Sequence, residues 1–288
     1  MKEKLFNWLL FVVLSVIWGS SFILMKEGMV KLTPYQVASL RILSAGLVLI
    51  PFARRAVRAI PRDKLFLVIL SGLLGNFFPA YLFCIAETKL DSGLAGILNA
   101  LTPFFVILIG ISFFQLKANA IKIVGVLIGF AGLCLLVTAS GHFSLQNLSF
   151  ALLILLATCF YGLNVNLIGR YMQGIGSINI ASLAFVFLII PSIIILWTTG
   201  YFALPLGEKA TLNSTLASFV LGVMGTASAS ILFYMLIKRA GNLFASMVTY
   251  GIPFVALAWG AWYGETITLT QVGCLGIILV GVYLVNKK

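Results

Sequence analysis

Long apolar runs alternate with short polar stretches along the whole chain. Each run is close to 20 residues, the length at which a helix rising 1.5 Å per residue crosses roughly 30 Å of hydrocarbon. The pattern predicts ten transmembrane helices, and the tenth run is shorter than the others. The predicted helices lie at about 5–25, 35–53, 65–86, 92–113, 121–139, 149–170, 180–198, 214–236, 243–263 and 270–285.

The amino-acid composition excludes a soluble globular protein. Apolar residues make up 61% of the chain and charged residues 9%, against roughly 45–50% and about 25% in soluble domains. A soluble protein of this size has no way to bury so much apolar surface. We therefore predict an all-α integral membrane protein of ten transmembrane helices.

The first apolar run follows Met1-Lys2-Glu3-Lys4, an arrangement that resembles a signal peptide. The run extends from Leu5 to about Met25, which is longer than the 7–15 residues of a signal-peptide core. We expect it to remain as the first membrane helix.

The formal charge of +12 is spread over short connecting segments, so it does not predict a nucleic-acid partner. With the N-terminus in the cytoplasm, fourteen Lys and Arg fall on the cytoplasmic side and four outside, the bias of an inner (plasma) membrane protein with both termini cytoplasmic. The first group is Lys2, Lys4, Arg54, Arg55, Arg58, Arg62, Lys64, Lys117, Lys122, Arg170, Lys238, Arg239, Lys287 and Lys288, and the second is Lys26, Lys31, Lys89 and Lys209.

The two halves of the chain repeat each other weakly but in order. A five-helix unit ends on the side opposite to its start, so a second copy must be inserted upside down, as in many secondary transporters. We predict inverted repeats at 1–143 and 144–288. Shifts of 143 or 150 residues align Gly19 with Gly162, Gly72 with Gly222, Gly75 with Gly225, and Pro103 with Pro253.

Four motifs make the chain resemble the drug/metabolite transporter superfamily, specifically its ten-helix EamA-type transporters. They are Ile17-Trp18-Gly19-Ser20-Ser21-Phe22, Ser39-Leu40-Arg41-Ile42-Leu43-Ser44-Ala45, Leu98-Asn99-Ala100-Leu101-Thr102-Pro103-Phe104, and Tyr263-Gly264-Glu265 followed by Thr270-Gln271-Val272-Gly273. The first half departs from the last motif, because Phe114-Gln115-Leu116 replaces its acidic pattern.

The resemblance implies a central cavity lined by helices 1, 3 and 4 of one half and 6, 8 and 9 of the other. It also implies alternating access and, more often than not, export of small metabolites, amino acids or organic toxicants. An importer or exchanger of the same fold is the alternative.

Uncharged polar and aromatic side chains in those six helices are the candidate substrate-binding residues, since such groups suit neutral, zwitterionic or aromatic cargo. Bonding and packing between helices is the alternative role for each. The repeat pairs Trp18 with Tyr161, Ser21 with Asn164, Asn76 with Thr226, and Asn99 with Thr249. The candidates are Trp18, Ser21, Asn76, Tyr81, Asn99, Tyr161, Asn164, Tyr234, Ser246, Thr249 and Tyr250.

Arg41 is the one charge well inside a predicted helix, about six residues below its outer end. A cation at that depth is costly unless it is paired or reaches the interface. We favour a structural role, in which it snorkels or ties helix ends together, over attraction of a substrate anion. The resemblance supports this choice, because a similar arginine recurs in the family regardless of cargo.

Pro103 and Pro253 occupy matched positions and are candidate hinges, since proline removes a backbone donor and kinks a helix. A static bend is the alternative role for each proline. No carboxylate lies near the middle of a predicted helix; Glu87, Asp91 and Glu265 lie near outer ends, and His142 lies in a loop. Proton-coupled carriers often use such groups within the membrane, so we favour exchange or uniport over proton coupling.

Other functional classes have little support. No His-rich motif, phosphate-binding loop or close pair of acids appears within a helix, so a membrane-embedded lipid-modifying enzyme is the weaker alternative. The cysteines (Cys84, Cys134, Cys159 and Cys274) lie singly in apolar segments and predict no metal or cofactor. The expected partners are a small-molecule substrate and the lipid bilayer, with a monomer or a homodimer both open.

Overall fold

The computed structural model describes residues 2–90, 92–140, 148–262 and 268–286. Asp91, His142, the Tyr263-Gly264-Glu265 motif and the predicted boundary between residues 143 and 144 lie outside the described residues.

The described chain folds into helices joined by short turns, without a β-strand in those ranges. Eight helices are long and apolar enough to cross a membrane, and two further apolar helices are shorter. The ten-helix, all-α prediction is thereby confirmed. The helices are α1 (Lys2–Gly28), α2 (Pro34–Ala59), α3 (Arg62–Ala86), α4 (Leu94–Phe114), α5 (Ala120–Ser140), α6 (Leu148–Tyr171), α7 (Ser177–Thr198), α8 (Lys209–Ala240), α9 (Asn242–Trp259) and α10 (Leu269–Asn286).

The start of α2 shows how local sequence fixes a helix end. Thr33 accepts a hydrogen bond from the Gln36 backbone, and the Gln36 side chain accepts one from the Thr33 backbone. This capping box satisfies two backbone donors at the helix start, and Pro34 suits the first turn because it needs no donor there. The Gln36 amide also donates to the Thr199 carbonyl at 2.9 Å, which joins α2 to the end of α7.

Four helices are interrupted, and the interruptions correspond between the halves. α3 contains a π-helical segment at Leu73–Phe77, and α8 contains one at Leu221–Ser228. α4 breaks between Asn99 and Thr102, while α9 passes through a 3₁₀ segment at Met247–Gly251. A shift of 150 residues superimposes both pairs. π-Segments frequently mark functional sites, and interrupted membrane helices commonly build transporter sites.

The main helix contacts recur when each helix is exchanged for the one five places along the chain. α2 packs along α7, and α5 packs along α10. α1 contacts α8 and α9, and the corresponding α6 contacts α3 and α4. The halves therefore interlock instead of lying side by side as separate bodies.

The two ends of the bundle differ in charge. At one end, called here the far end, α1 ends and α2 begins; Lys31 pairs with Glu208 at 3.6 Å, and Ser214 donates to the Glu27 carbonyl. At the opposite end, called the near end, basic residues dominate. There Arg170 donates to Gln115, Arg239 to Asn7, and Lys238 to the Ile175 carbonyl.

Candidate functional site

A cavity of about 100 Å³ lies between the two halves, near the interruptions of α3 and α8. This volume holds several water molecules but is below the roughly 300 Å³ at which ligand pockets begin. The lining residues are Trp18, Ser21, Phe22, Met25, Arg41, Gly75, Asn76, Phe83, Asn99, Thr102, Tyr161, Asn164, Val165, Gly225, Ser230, Phe233, Tyr234, Ser246, Thr249 and Ile252.

Nine of the eleven predicted binding residues line this cavity, and Tyr81 and Tyr250 do not. The Tyr81 hydroxyl pairs with Ser39 at 2.7 Å, which joins α3 to α2. The Tyr250 hydroxyl donates to the Val126 carbonyl at 2.9 Å, and its side chain borders a separate apolar groove between α1, α9 and α10. In this conformation both tyrosines hold helices together.

Hydrogen bonds across the halves position the cavity amides. Ser71 donates to the Asn164 side-chain oxygen at 2.6 Å. The Asn76 side chain donates to the Tyr234 hydroxyl at 3.1 Å and accepts from Ser230 at 3.1 Å. Because buried polar groups are costly when unpaired, these bonds both hold the halves together and preset the orientation of the groups facing the cavity.

Glycines of the two π-segments contact matched polar side chains. A Cβ atom added to Gly225 would lie 2.6 Å from the Ser21 hydroxyl, and one added to Gly75 would lie 2.1 Å from the Asn164 amide nitrogen. Trp18 also donates from its indole nitrogen to the Gly225 carbonyl at 3.2 Å. Glycine thus permits the close approach of opposite halves at equivalent points.

Aromatic rings form the apolar part of the lining. Trp18 and Phe233 meet edge to face with their centroids 5.0 Å apart. Phe83 stacks on Tyr161 at 6.2 Å and meets Phe22 at 6.5 Å. Such faces bind apolar and aromatic groups and also attract cations. The cavity combines these faces with uncharged donors and acceptors.

Arg41 is the only charged side chain that the structure, in its described ranges, places on the lining. It is partly buried, and its Nε donates to the Thr226 hydroxyl at 3.1 Å, across the interface between α2 and α8. Hydropathy predicted how deep Arg41 lies along its helix, but it did not predict on which side of the helix the side chain lies.

Glu87 follows the last residue of α3 at the far end and is 6% exposed. Neither carboxyl oxygen has a hydrogen-bond partner among the described residues. It lies one helical turn beyond the cavity residue Phe83, and Lys26 and Arg41 are the cations that act on it electrostatically. The sequence placed Glu87 near the outer end of a predicted helix and did not predict its burial.

Several apolar lining residues were also missed, because one sequence does not separate cavity-facing from packing-facing apolar side chains. Phe22 and Met25 follow Trp18 and Ser21 at helical spacing, a signal that was available. Ser230 lies one turn before Tyr234 on the same helix face, so it could also have been predicted as a lining residue.

Comparison with known proteins decides the family. The EamA-like transporter family matches residues 6–138 and again residues 148–287. The chain belongs to the EamA-like transporter family. The family resemblance drawn from the sequence motifs is confirmed, and the fold is the ten-helix fold of these membrane proteins.

Relatives of this chain carry transporter names. An uncharacterized inner membrane transporter, YedA, of Escherichia coli (strain K12) is 29% identical over 95% of this chain and 88% of its own length. An uncharacterized transporter of Archaeoglobus fulgidus is 24% identical over 98% of this chain and 99% of its own. A probable amino-acid metabolite efflux pump of Salmonella typhimurium is 29% identical over 43% of this chain and 40% of its own.

A solved crystal structure superimposes with a TM-score of 0.74 at 16% identity, covering 96% of this chain and 94% of the other. It shows the shared fold. This EamA-like protein is therefore a multi-pass membrane transporter and not an enzyme, as the sequence predicted. Within the described residues no group of three or more His, Cys, Asp or Glu is placed to hold a metal.

Proposed function

We propose that this EamA-like protein exports small metabolites through the cavity between its halves, by opening the cavity first to one side and then to the other. The observation that carries the proposal is the cavity itself. Helices of both halves wall it, and its lining combines hydrogen-bonding groups, aromatic faces and one cation.

Alternating access is supported by the exchange symmetry of the packing. Two inverted repeats at 1–143 and 144–288 would produce the same contacts on each side of the cavity, and α1 on α8 with α6 on α3 is such a pair. Rocking one half against the other then moves the cavity opening from one end to the other. The two separate family matches support the same repeat assignment.

The proposed orientation places the near end in the cytoplasm, with both termini. Its support is the concentration of basic residues there, since Lys and Arg are retained on the cytoplasmic side during insertion. The far end, with Glu87 and the Lys31–Glu208 pair, then faces outward.

The proposed cargo is a small neutral, zwitterionic or aromatic metabolite, with amino acids within that range. The uncharged amides and hydroxyls of Asn76, Asn99 and Asn164 and of Ser246 and Thr249 offer donors and acceptors without a fixed charge. Weak, multiple contacts of this kind allow the cargo to leave as well as to bind.

The test compares metabolites inside and outside cells that make this protein with those of cells carrying an empty vector. Export predicts that one chemical class accumulates outside only when the protein is made. Accumulation inside would instead identify an importer. An unchanged metabolite profile in both compartments, in several hosts and with the protein present in the membrane, would contradict the transport proposal.

Proton-coupled export is a second candidate mode, because Glu87 supplies a buried carboxyl group without a hydrogen-bond partner in the described structure. Such a group favours a bound proton while the far end is closed. Exchange or uniport predicts that Glu87→Gln leaves the response to a proton gradient unchanged. Loss of that response in Glu87→Gln vesicles, with transport down the cargo gradient retained, would establish coupling.

A further inference from the structure

We propose that Arg41 recognises the cargo, and that the cargo carries a single carboxylate. The inference rests on the proposed function, because it assigns a ligand chemistry to the same cavity. It adds to the structural role that the sequence favoured for this arginine, since the bond to Thr226 joins two helices. An arginine that recurs regardless of cargo fits recognition of a group that different cargoes share, and a carboxylate is such a group.

The charge of the lining is the first argument. Arg41 contributes one positive charge, and the described lining residues include no Asp or Glu. Glu87, the buried carboxyl group on which Arg41 acts electrostatically, lies outside the lining. A partly buried cation in a membrane protein is stabilised by an anion, and a cargo carboxylate supplies one at the lining itself.

The geometry of the guanidinium group is the second argument. The bond from Nε to Thr226 fixes one edge of the planar group at 3.1 Å. Among the described residues Arg41 makes no further hydrogen bond or ion pair, and it lies on the cavity lining. A carboxylate accepts two parallel hydrogen bonds from such a fork.

The asymmetry between the halves is the third argument. A shift of 143 residues places Arg41 on Ala184, a fully buried residue that does not line the cavity. A residue needed to hold symmetric helix ends together is expected in both halves. A residue that binds one group of an asymmetric cargo is needed only once.

The single positive charge of Arg41 also distinguishes between classes of anionic cargo. One arginine balances one negative charge, which matches a carboxylate. A phosphate monoester carries about −1.5 to −2 at neutral pH and would leave charge uncompensated in this lining. The aromatic faces of Trp18 and Phe233, 5.0 Å apart, remain to hold an amino group or an apolar side chain of the same molecule.

The experiment repeats the metabolite comparison in cells making the wild type, Arg41→Gln, Arg41→Lys and Lys209→Gln at equal membrane levels. Lys209 is an exposed cation at the far end of the bundle that does not line the cavity, so it is the matched control. We expect the exported class to carry one carboxylate. Its external level should fall at least about tenfold in Arg41→Gln, fall less in Arg41→Lys, and stay unchanged in Lys209→Gln.

A second measurement separates recognition from folding. The metabolite found by the comparison and its neutral amide are added to purified wild-type protein and to Arg41→Met, which retains the bulk of the side chain. The acid should raise Tm of the wild type only, and the amide should raise neither.

The inference is overturned if the exported metabolites lack an anionic group, if phosphate esters dominate, or if Arg41→Gln exports as the wild type does. It is also overturned if acid and amide stabilise the wild type equally. If wild-type cells and empty-vector cells do not differ at all, the transport proposal fails and the Arg41 inference fails with it. Export of uncharged metabolites would overturn the Arg41 inference and leave the transport proposal standing.

Discussion

The two halves of this EamA-like transporter are built alike but are not chemically equivalent. Both use a π-segment, a break before a proline and a glycine that contacts a polar side chain of the other half. The charged residues Arg41 and Glu87 have no charged counterpart in the second half. Arg41 corresponds to Ala184, and Glu87 corresponds at a shift of 150 residues to Ile237, a buried apolar residue.

This difference separates the mechanical framework from the chemistry. A cycle between two opposite openings needs matched packing on both sides, so the framework repeats. Recognition of one molecule needs each group only once. Substitutions at matched positions should therefore show which features belong to the framework and which belong to one half.

The largest expected effect is at the glycine pair Gly222 and Gly72. A Cβ atom on Gly222 would lie 2.3 Å from the Arg41 carbonyl oxygen, so α2 would have to move, whereas one on Gly72 would lie 3.0 Å from the Ala184 Cβ. We expect Gly222→Ala to lower the free energy of unfolding by about 2–3 kcal/mol and Gly72→Ala by less than about 1 kcal/mol. Thermal unfolding of the two variants in the same detergent measures both changes in stability. Equal losses of stability would contradict the contacts assigned to Gly222 and Gly72.

The next effect concerns Asn76 and its counterpart Thr226. Asn76 bonds Tyr234 and Ser230 across the two halves, while Thr226 receives one such bond from Arg41 and donates to the Leu221 carbonyl of its own helix. Asn76→Ala leaves two buried partners unpaired and should cost about 1–3 kcal/mol, against about 1 kcal/mol for Thr226→Val. A smaller loss in Asn76→Ala than in Thr226→Val would contradict the bridging role.

Glu87 predicts a pH dependence that its counterpart Ile237 cannot have. Burial raises the pKa of the Glu87 carboxyl to about 8, with Lys26 and then Arg41 opposing the increase. The unfolded chain loses this proton near its ordinary pKa of 4.5, while the folded chain keeps it to higher pH. Stability should therefore decrease as pH increases between these two values and level off above pH 8.

Glu87→Gln removes that titration at nearly constant shape. The Tm of the variant should match the wild type near pH 5 and exceed it by a few degrees at pH 8, while Ile237→Val should show a constant difference. A constant Tm difference for Glu87→Gln across this pH range would mean that water reaches the carboxyl in the native protein.

The smallest expected effect on stability is at the two prolines. Pro103 and Pro253 lie in the first turn of the helical segments that begin at Thr102 and Ile252, where no intrahelical donor is lost. Replacement by Ala should change stability by less than about 1 kcal/mol. As proposed hinges they should nevertheless slow transport, and unchanged transport in both variants would remove the hinge role.

Hydropathy was sufficient to predict ten helices, because the length and apolarity of a membrane segment are set by the bilayer. It did not predict the π-segments, since residues such as Leu73 and Leu221 fit an α-helix equally well. Trp18 and Asn164 were predicted as cavity residues because the resemblance identified their helices. Tyr81 and Tyr250 satisfied the same criteria but point toward neighbouring helices. The cavity-facing position of Arg41 and the burial of Glu87 could not be predicted. Both depend on how several helices pack together, and one sequence does not specify that packing.

Thiol accessibility tests alternating access through this cavity most directly. With the four natural cysteines replaced by alanine, Ser21→Cys and Thr249→Cys place one thiol from each half on the lining, and a membrane-impermeant maleimide is applied to right-side-out and to inverted vesicles. We expect both thiols to react from either side, with cargo on one side shifting the balance for both together. Reaction of neither thiol, or of both from one side only under every condition, would contradict the account.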